Sequence, residues 1–142
     1  MGCDMNLVVL KKKTLNNISK EFPDYTFSEM YSSLLIDFLY PDDYIIPEDE
    51  VGREIVWSNR DILDNFFESK LGNDEAIIID EDTYTKMFNW IENKMKNMTL
   101  YDVAIDESDN LCEIEEMIRV YRQMRKETID FETEFVVYHH DW

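Results

Sequence analysis

The chain is short of the residues that loosen a backbone: its 142 residues include three Gly and three Pro. Disordered acidic chains are rich in these and poor in aromatics, whereas this one carries three Trp, eight Tyr and eight Phe and is 44% apolar. A folded core follows, and the length is that of one domain, 1–142. There is no Gly-rich phosphate-cradling loop, no Gly-x-Ser-x-Gly, no internal repeat and no Gly/Ser linker. With only two histidines, both at the C-terminal end, nucleophilic triad chemistry has no supporting motif.

Cysteine is equally scarce. Cys3 and Cys112 fit neither a Cys-x-x-Cys nor a zinc-ligand spacing, and read as free thiols of a reducing compartment. Glu113 and Glu115 beside Cys112 disfavour its thiolate, so it reads as inert. No apolar run approaches the roughly 20 residues of a membrane span. Nor does a charged-then-apolar leader open the chain, and a cytoplasmic protein is expected.

Bases are the third shortage. Fourteen Lys and Arg face 32 Asp and Glu, for a net charge of -18. Such a chain repels nucleic-acid phosphates and anionic membranes, so direct binding to either is not expected. The same charge attracts a basic protein surface, such as the groove of a nucleic-acid enzyme; its plainer use is solubility.

From Glu21 to Gly52 there is no base at all, while nine acids occur: Glu21, Asp24, Glu29, Asp37, Asp42, Asp43, Glu48, Asp49 and Glu50. A second base-free stretch, Asn97 to Ile118, holds Asp102, Asp106, Glu107, Asp109, Glu113, Glu115 and Glu116. The bases return as Arg119, Arg122, Arg125 and Lys126, an order that suits the helix macrodipole and permits a Glu115–Arg119 pair.

Hydrophobic periodicity predicts strands at Asp4–Lys12, Glu54–Trp57, Ala76–Ile79 and Phe131–Tyr138. The uninterrupted run Ala76 to Ile79 predicts a strand buried on both faces at the centre of the sheet. Phe131, Thr133, Phe135 and Val137 alternate with Glu132, Glu134, Val136 and Tyr138, which predicts one core face and one partly polar face.

Leu15 to Phe22 suggests two helical turns stopped by Pro23, with Lys11-Lys12-Lys13 as a solvated strand end. Thr26-Phe27-Ser28-Glu29 fits a capping box for a helix running to about Tyr40, with Phe27, Met30, Tyr31, Leu34, Leu35, Phe38 and Leu39 on its core face. A helix capped by Ser58 or Asn59 is expected to carry Ile62, Leu63, Phe66, Phe67 and Leu71 up to Gly72. Asp82 or Thr83 caps another, with Tyr84, Met87, Phe88, Ile91 and Met95 on one face. The longest helix spans Ser108 to about Lys126.

These elements make an α+β fold: one compact domain, a three- to four-stranded sheet with three main helices and a shorter one packed on it. The first and last strands are expected to be neighbours.

The opening Met1-Gly2-Cys3-Asp4 resembles a group of small phage and prophage proteins that begin Met-Gly-Cys-Asp-Ile-His and continue into a strand. The resemblance covers the first ten residues, and this chain departs from it at Met5 and Asn6. It implies a mobile-element origin and no residue-specific activity. A lipidation reading of Met1-Gly2-Cys3 fails at Asn6, where the motif wants Ser or Thr.

Among candidate sites, Asp80-Glu81-Asp82 superficially opens a calcium loop, but Tyr84 and Thr85 stand where an oxygen ligand and a Gly are needed. These acids suit the first turn of a helix instead. His139, His140 and Asp141 would approach Cys3 and Asp4 if the terminal strands pair, yet adjacent strand histidines face opposite ways, and a frayed terminus is the favoured reading. No metal and no cofactor is expected, and no carboxylate pair stands out for catalysis.

The remaining feature is the aperiodic loop Asp42 to Gly52. Tyr44, Ile45 and Ile46 either tack it to the core or stand exposed among Asp42, Asp43, Glu48, Asp49 and Glu50 as an interface. The expected function is therefore a non-enzymatic anti-defence inhibitor imitating nucleic-acid charge against a basic surface of a host nuclease. Its contacts would be Asp42, Asp43, Tyr44, Ile45, Glu48, Asp49 and Glu50, meeting Asp102, Asp106, Glu107 and Asp109. An immunity-type or adaptor protein for another basic partner is the alternative, and a small-molecule-binding or hydrolytic carboxylate enzyme the second.

Overall fold

In the computed structural model, which describes residues 4–42, 45–60, 62–67, 75–97 and 108–141, the first and last strands lie side by side. Strands β1 (Asp4–Lys11), β2 (Arg53–Ser58), β3 (Glu75–Ile79) and β4 (Glu134–Asp141) form one antiparallel sheet in the order β2-β1-β4-β3. Strand β1 pairs with β4 over its whole length, from Asp4 opposite Asp141 to Lys11 opposite Glu134.

Helices cover both faces of this sheet, which makes the expected α+β domain a three-layer one. Helices α1 (Lys12–Glu21) and α2 (27–39) pack over Val8, Leu10, Phe135 and Val137. Helices α3 (Glu81–Lys96) and α4 (Ser108–Lys126) pack over Leu7, Val9, Val136 and Tyr138. Burial on both faces is why Leu7 to Leu10 and Phe135 to Tyr138 are apolar at every position.

Helix α2 is α-helical over Phe27–Met30 and Ile36–Leu39 and π-helical over Tyr31–Leu35 between them. Its core residues Tyr31, Leu35 and Leu39 recur every fourth residue. An ideal α-helix would rotate such a row by about 40° per step away from the core. The wide π turn, in which the Ile36 N–H donates to the Tyr31 carbonyl, takes up that drift. At the start of α2 the Thr26 hydroxyl accepts from the Glu29 N–H at 3.2 Å, as the capping box predicts.

Several sequence expectations are corrected. Strand β3 is an edge, with Ile78 48% exposed, because β1 and β4 bring longer doubly apolar strands to the centre. Phe131 to Thr133 form a turn instead of the start of β4; of the face expected to be partly polar, Glu132 is exposed in that turn, Glu134 is buried among Arg53, Lys11 and Asp130, and Val136 and Tyr138 are buried under α3 and α4. His139 and His140 are not frayed: β4 continues through both, and His140 is fully buried. Helix α1 starts at Lys12, so the lysine triplet straddles a strand end and a first helical turn.

Asp80, not Asp82 or Thr83, caps α3, its carboxylate accepting from the Thr83 N–H at 2.7 Å. Asp64–Phe67 is a short 3-10 turn where a longer helix is expected; Leu71 and Gly72 lie outside the described residues. Arg119 pairs with Glu116 at 2.8 Å instead of Glu115, because Glu116 faces β2 and also accepts from the Ser58 hydroxyl at 2.6 Å.

Two contacts lock the β1–β2 end. Gly52 sits so close to β1 that a Cβ there would lie 2.5 Å from Leu10 Cδ2 and 2.8 Å from the Val9 carbonyl oxygen. A Gly52→Ala variant is expected to lose about 1 to 3 kcal/mol in urea unfolding; an unchanged midpoint would contradict this packing.

Glu134, 5% exposed, accepts from Arg53 Nη1 at 2.6 Å, Lys11 Nζ at 3.1 Å and the Asp130 N–H at 3.1 Å. Burial alone would raise its pKa, but Arg53, the Asp130 N–H and Lys11 together hold it at about 2 against an ordinary 4.5. A carboxyl depressed in the folded state stabilises the fold above its ordinary pKa, and that contribution is lost as pH falls from there toward 2. Glu134→Gln is expected to lower stability by about 2 to 3 kcal/mol at neutral pH and to flatten part of the acid limb of stability against pH. An unaltered acid limb would contradict the role given to Glu134.

Candidate functional site

The base-free stretch Glu21 to Gly52 folds onto one side of the sheet. It comprises the end of α1, all of α2 and the loop that returns to β2. The loop is fastened at its β2 end: the Gly52 N–H donates to the Phe38 carbonyl at 2.8 Å and the Thr14 hydroxyl to the Glu50 carbonyl at 3.3 Å. Glu48–Glu50 form a single 3-10 turn, begun by Pro47. Lys13 pairs with Asp49 at 2.8 Å, which raises the lysine pKa and lowers that of the carboxyl. Both side chains are well exposed, so the pair contributes little stability.

Ile45 and Ile46 part company. Ile46 is half-buried, whereas Ile45 is 101% exposed. Both line an open groove of about 370 Å³ with Ile18 of α1, Phe22 just past its end, Leu34 and Phe38 of α2, and Pro47. Its remaining lining residues are Glu21, Asp37 and Glu50, all acidic. Among the described residues none of these three carboxylates has an ion-pair partner. Sequence reasoning did not count Glu21 or Asp37 among the contacts and missed the groove. The signal for it is the base-free stretch itself, since the acids flank apolar positions on two successive helices.

Of the two acidic stretches, only part lies among the described residues. Asp43 and Tyr44, and Asp102, Asp106 and Glu107, lie outside the described residues. Asp109 belongs to the first turns of α4, about 10 Å along the helix axis before Glu116. Glu116 reaches Ser58 at the end of β2, while the loop carrying Glu48, Asp49 and Glu50 enters β2 at Arg53. The loop therefore packs with α1 and α2 and enters β2 at Arg53, whereas Glu116 of α4 lies on the other face of the sheet, at the Ser58 end of β2. Asp42 and Ile45 are exposed on the loop side.

A second, more polar cleft of about 230 Å³ opens where α2 meets β1 and β2, lined by Asn6, Tyr40, Glu54, Trp57 and His139. The Tyr40 hydroxyl donates to Glu54, which also accepts from Asn6 Nδ2 at 3.3 Å. Burial, and then the bond to Glu54, push the Tyr40 pKa up to about 12. The buried Tyr31 ring lies 5.0 Å from His139. His139 and His140 point to opposite faces of β4, as strand geometry requires. Among the described residues no three His, Cys, Asp or Glu side chains gather as a metal site. Cys3 lies outside them.

No family model, curated protein or solved structure matches the chain.

Ile45→Ser is expected to leave stability within about 0.5 kcal/mol, as for any open surface position. Ile18→Ala, beneath the same groove, is expected to cost about 2 to 4 kcal/mol in urea unfolding. A large loss at Ile45 would mean that its side chain is buried.

Proposed function

We propose that this protein acts by binding and not by catalysis, docking its acidic loop on a basic, nucleic-acid-binding surface of another protein. The target we favour is a host defence nuclease, a CRISPR effector or a restriction enzyme, blocked on behalf of a phage or other mobile element. The observation that supports the reading is Ile45: a wholly exposed aliphatic side chain in a loop whose charged residues are all acids. An apolar centre ringed by charge is the anatomy of a protein interface. The ring supplies steering and partner choice; the centre supplies short-range affinity.

Duplex DNA presents about one charge per 1.7 Å of axis. Glu21, Asp37, Asp42, Glu48, Asp49 and Glu50 offer several carboxylates on one side of the sheet, and this side, without the acids of α4, is the contact proposed. Net charge of -18 would speed encounter with a basic surface and make it salt-sensitive.

The test is inhibition of purified restriction and CRISPR nucleases in DNA cleavage assays. The wild-type chain is expected to inhibit a susceptible enzyme, less so as salt rises. Charge reversal to Lys at Asp42, Asp43, Glu48, Asp49 and Glu50 is expected to weaken inhibition about a hundredfold or more. Inhibition that survives the reversal would overturn the reading, as would failure of every such enzyme to bind.

A further inference from the structure

We propose that the groove between α1, α2 and the loop holds a short protein segment that presents one or two bulky apolar side chains flanked by Lys or Arg. The inference rests on the binding reading above and names the part of the partner that is gripped. Ile18 of α1 and Phe22 at its C-cap stand one turn apart, Leu34 and Phe38 one turn apart on α2, and Ile46 and Pro47 close the third side. The space of about 370 Å³ is at the small end for a ligand site and suits a few side chains, not a whole helix.

The rim selects the flanks of that segment. Glu21, Asp37 and Glu50 are the polar lining, and Lys13, the base close to Glu50, is already engaged by Asp49. Three carboxylates around an apolar floor favour cationic residues beside the buried ones and disfavour an acidic peptide, a fatty acid or a nucleic acid. A second copy of this chain fits poorly, because it would bring its own acids to the same rim. Ile45 stands at the lip with its whole side chain in water, placed to fold over an occupant.

Ile45→Asp separates the groove from general charge attraction, because it removes the apolar lip while adding a negative charge. The probes are a short synthetic amphipathic Leu/Lys peptide and a scrambled peptide of the same composition, followed by fluorescence anisotropy at low salt. Wild type is expected to bind the amphipathic peptide more tightly than the scrambled one. Ile45→Asp is expected to weaken the amphipathic peptide about tenfold or more, and the double variant Glu21→Gln, Asp37→Asn to weaken it as well.

Equal or tighter binding to Ile45→Asp, or no preference for the amphipathic peptide, overturns the groove. Such a result leaves the charge-based reading to the nuclease assay, which reads it separately. Absence of measurable binding by wild type overturns the groove too. Concentration-dependent dimers of the wild type that Ile45→Asp dissolves, seen by sedimentation, would reassign the groove to a second copy and overturn the partner-segment proposal.

Discussion

The pairing of β1 with β4 is the constraint on which the rest of the molecule depends. Eight successive residue pairs join the two strands, and both strands are apolar on both faces. A doubly apolar centre demands a helical layer on each side. The chain supplies α1 and α2 for one face and α3 and α4 for the other. The end of this pair is closed by Glu134, which draws Lys11 of β1, Arg53 of β2 and the turn at Asp130 onto one carboxylate.

That division into layers also sorts the charge. The stretch with no base belongs to the α1–α2 layer, and the acids of α4 belong to the other. Several bases are engaged by acids: Lys86 with Asp82, Lys96 with Glu92 and Arg119 with Glu116 within one helix, and Arg53 with Glu127 and Glu134 across elements. On the α1–α2 side Glu21, Asp37 and Glu50 border an apolar groove, with Ile45 at its lip. Exposing that side chain is unfavourable in the isolated protein. This is the physical ground for a docking role.

Much of this fold was legible in the sequence, for reasons that differ by element. Leu7 to Leu10, the capping box at Thr26, and the helical spacing in Ser108 to Lys126 are local signals, and the structure follows them. The β1–β4 neighbourhood was legible as well, since both strands were too apolar for an edge. Strand order was not: Ala76 to Ile79 is as apolar as a central strand, and its edge position is set by the longer strands that outcompete it. The strict four-residue recurrence of Tyr31, Leu35 and Leu39 carried the π turn, a signal that a helical template rounds away. The groove was only half legible, because an acid's position on a helix surface says nothing of which neighbouring helix it will face.

The most direct test of the account is a backbone-amide NMR titration of the full chain with the amphipathic Leu/Lys peptide. The account predicts shift changes centred on Ile18, Phe22, Leu34, Phe38, Ile45 and Ile46, with Glu21, Asp37 and Glu50 at their margin. Changes centred instead on α4, or on the cleft of Asn6, Tyr40 and Glu54, would contradict it.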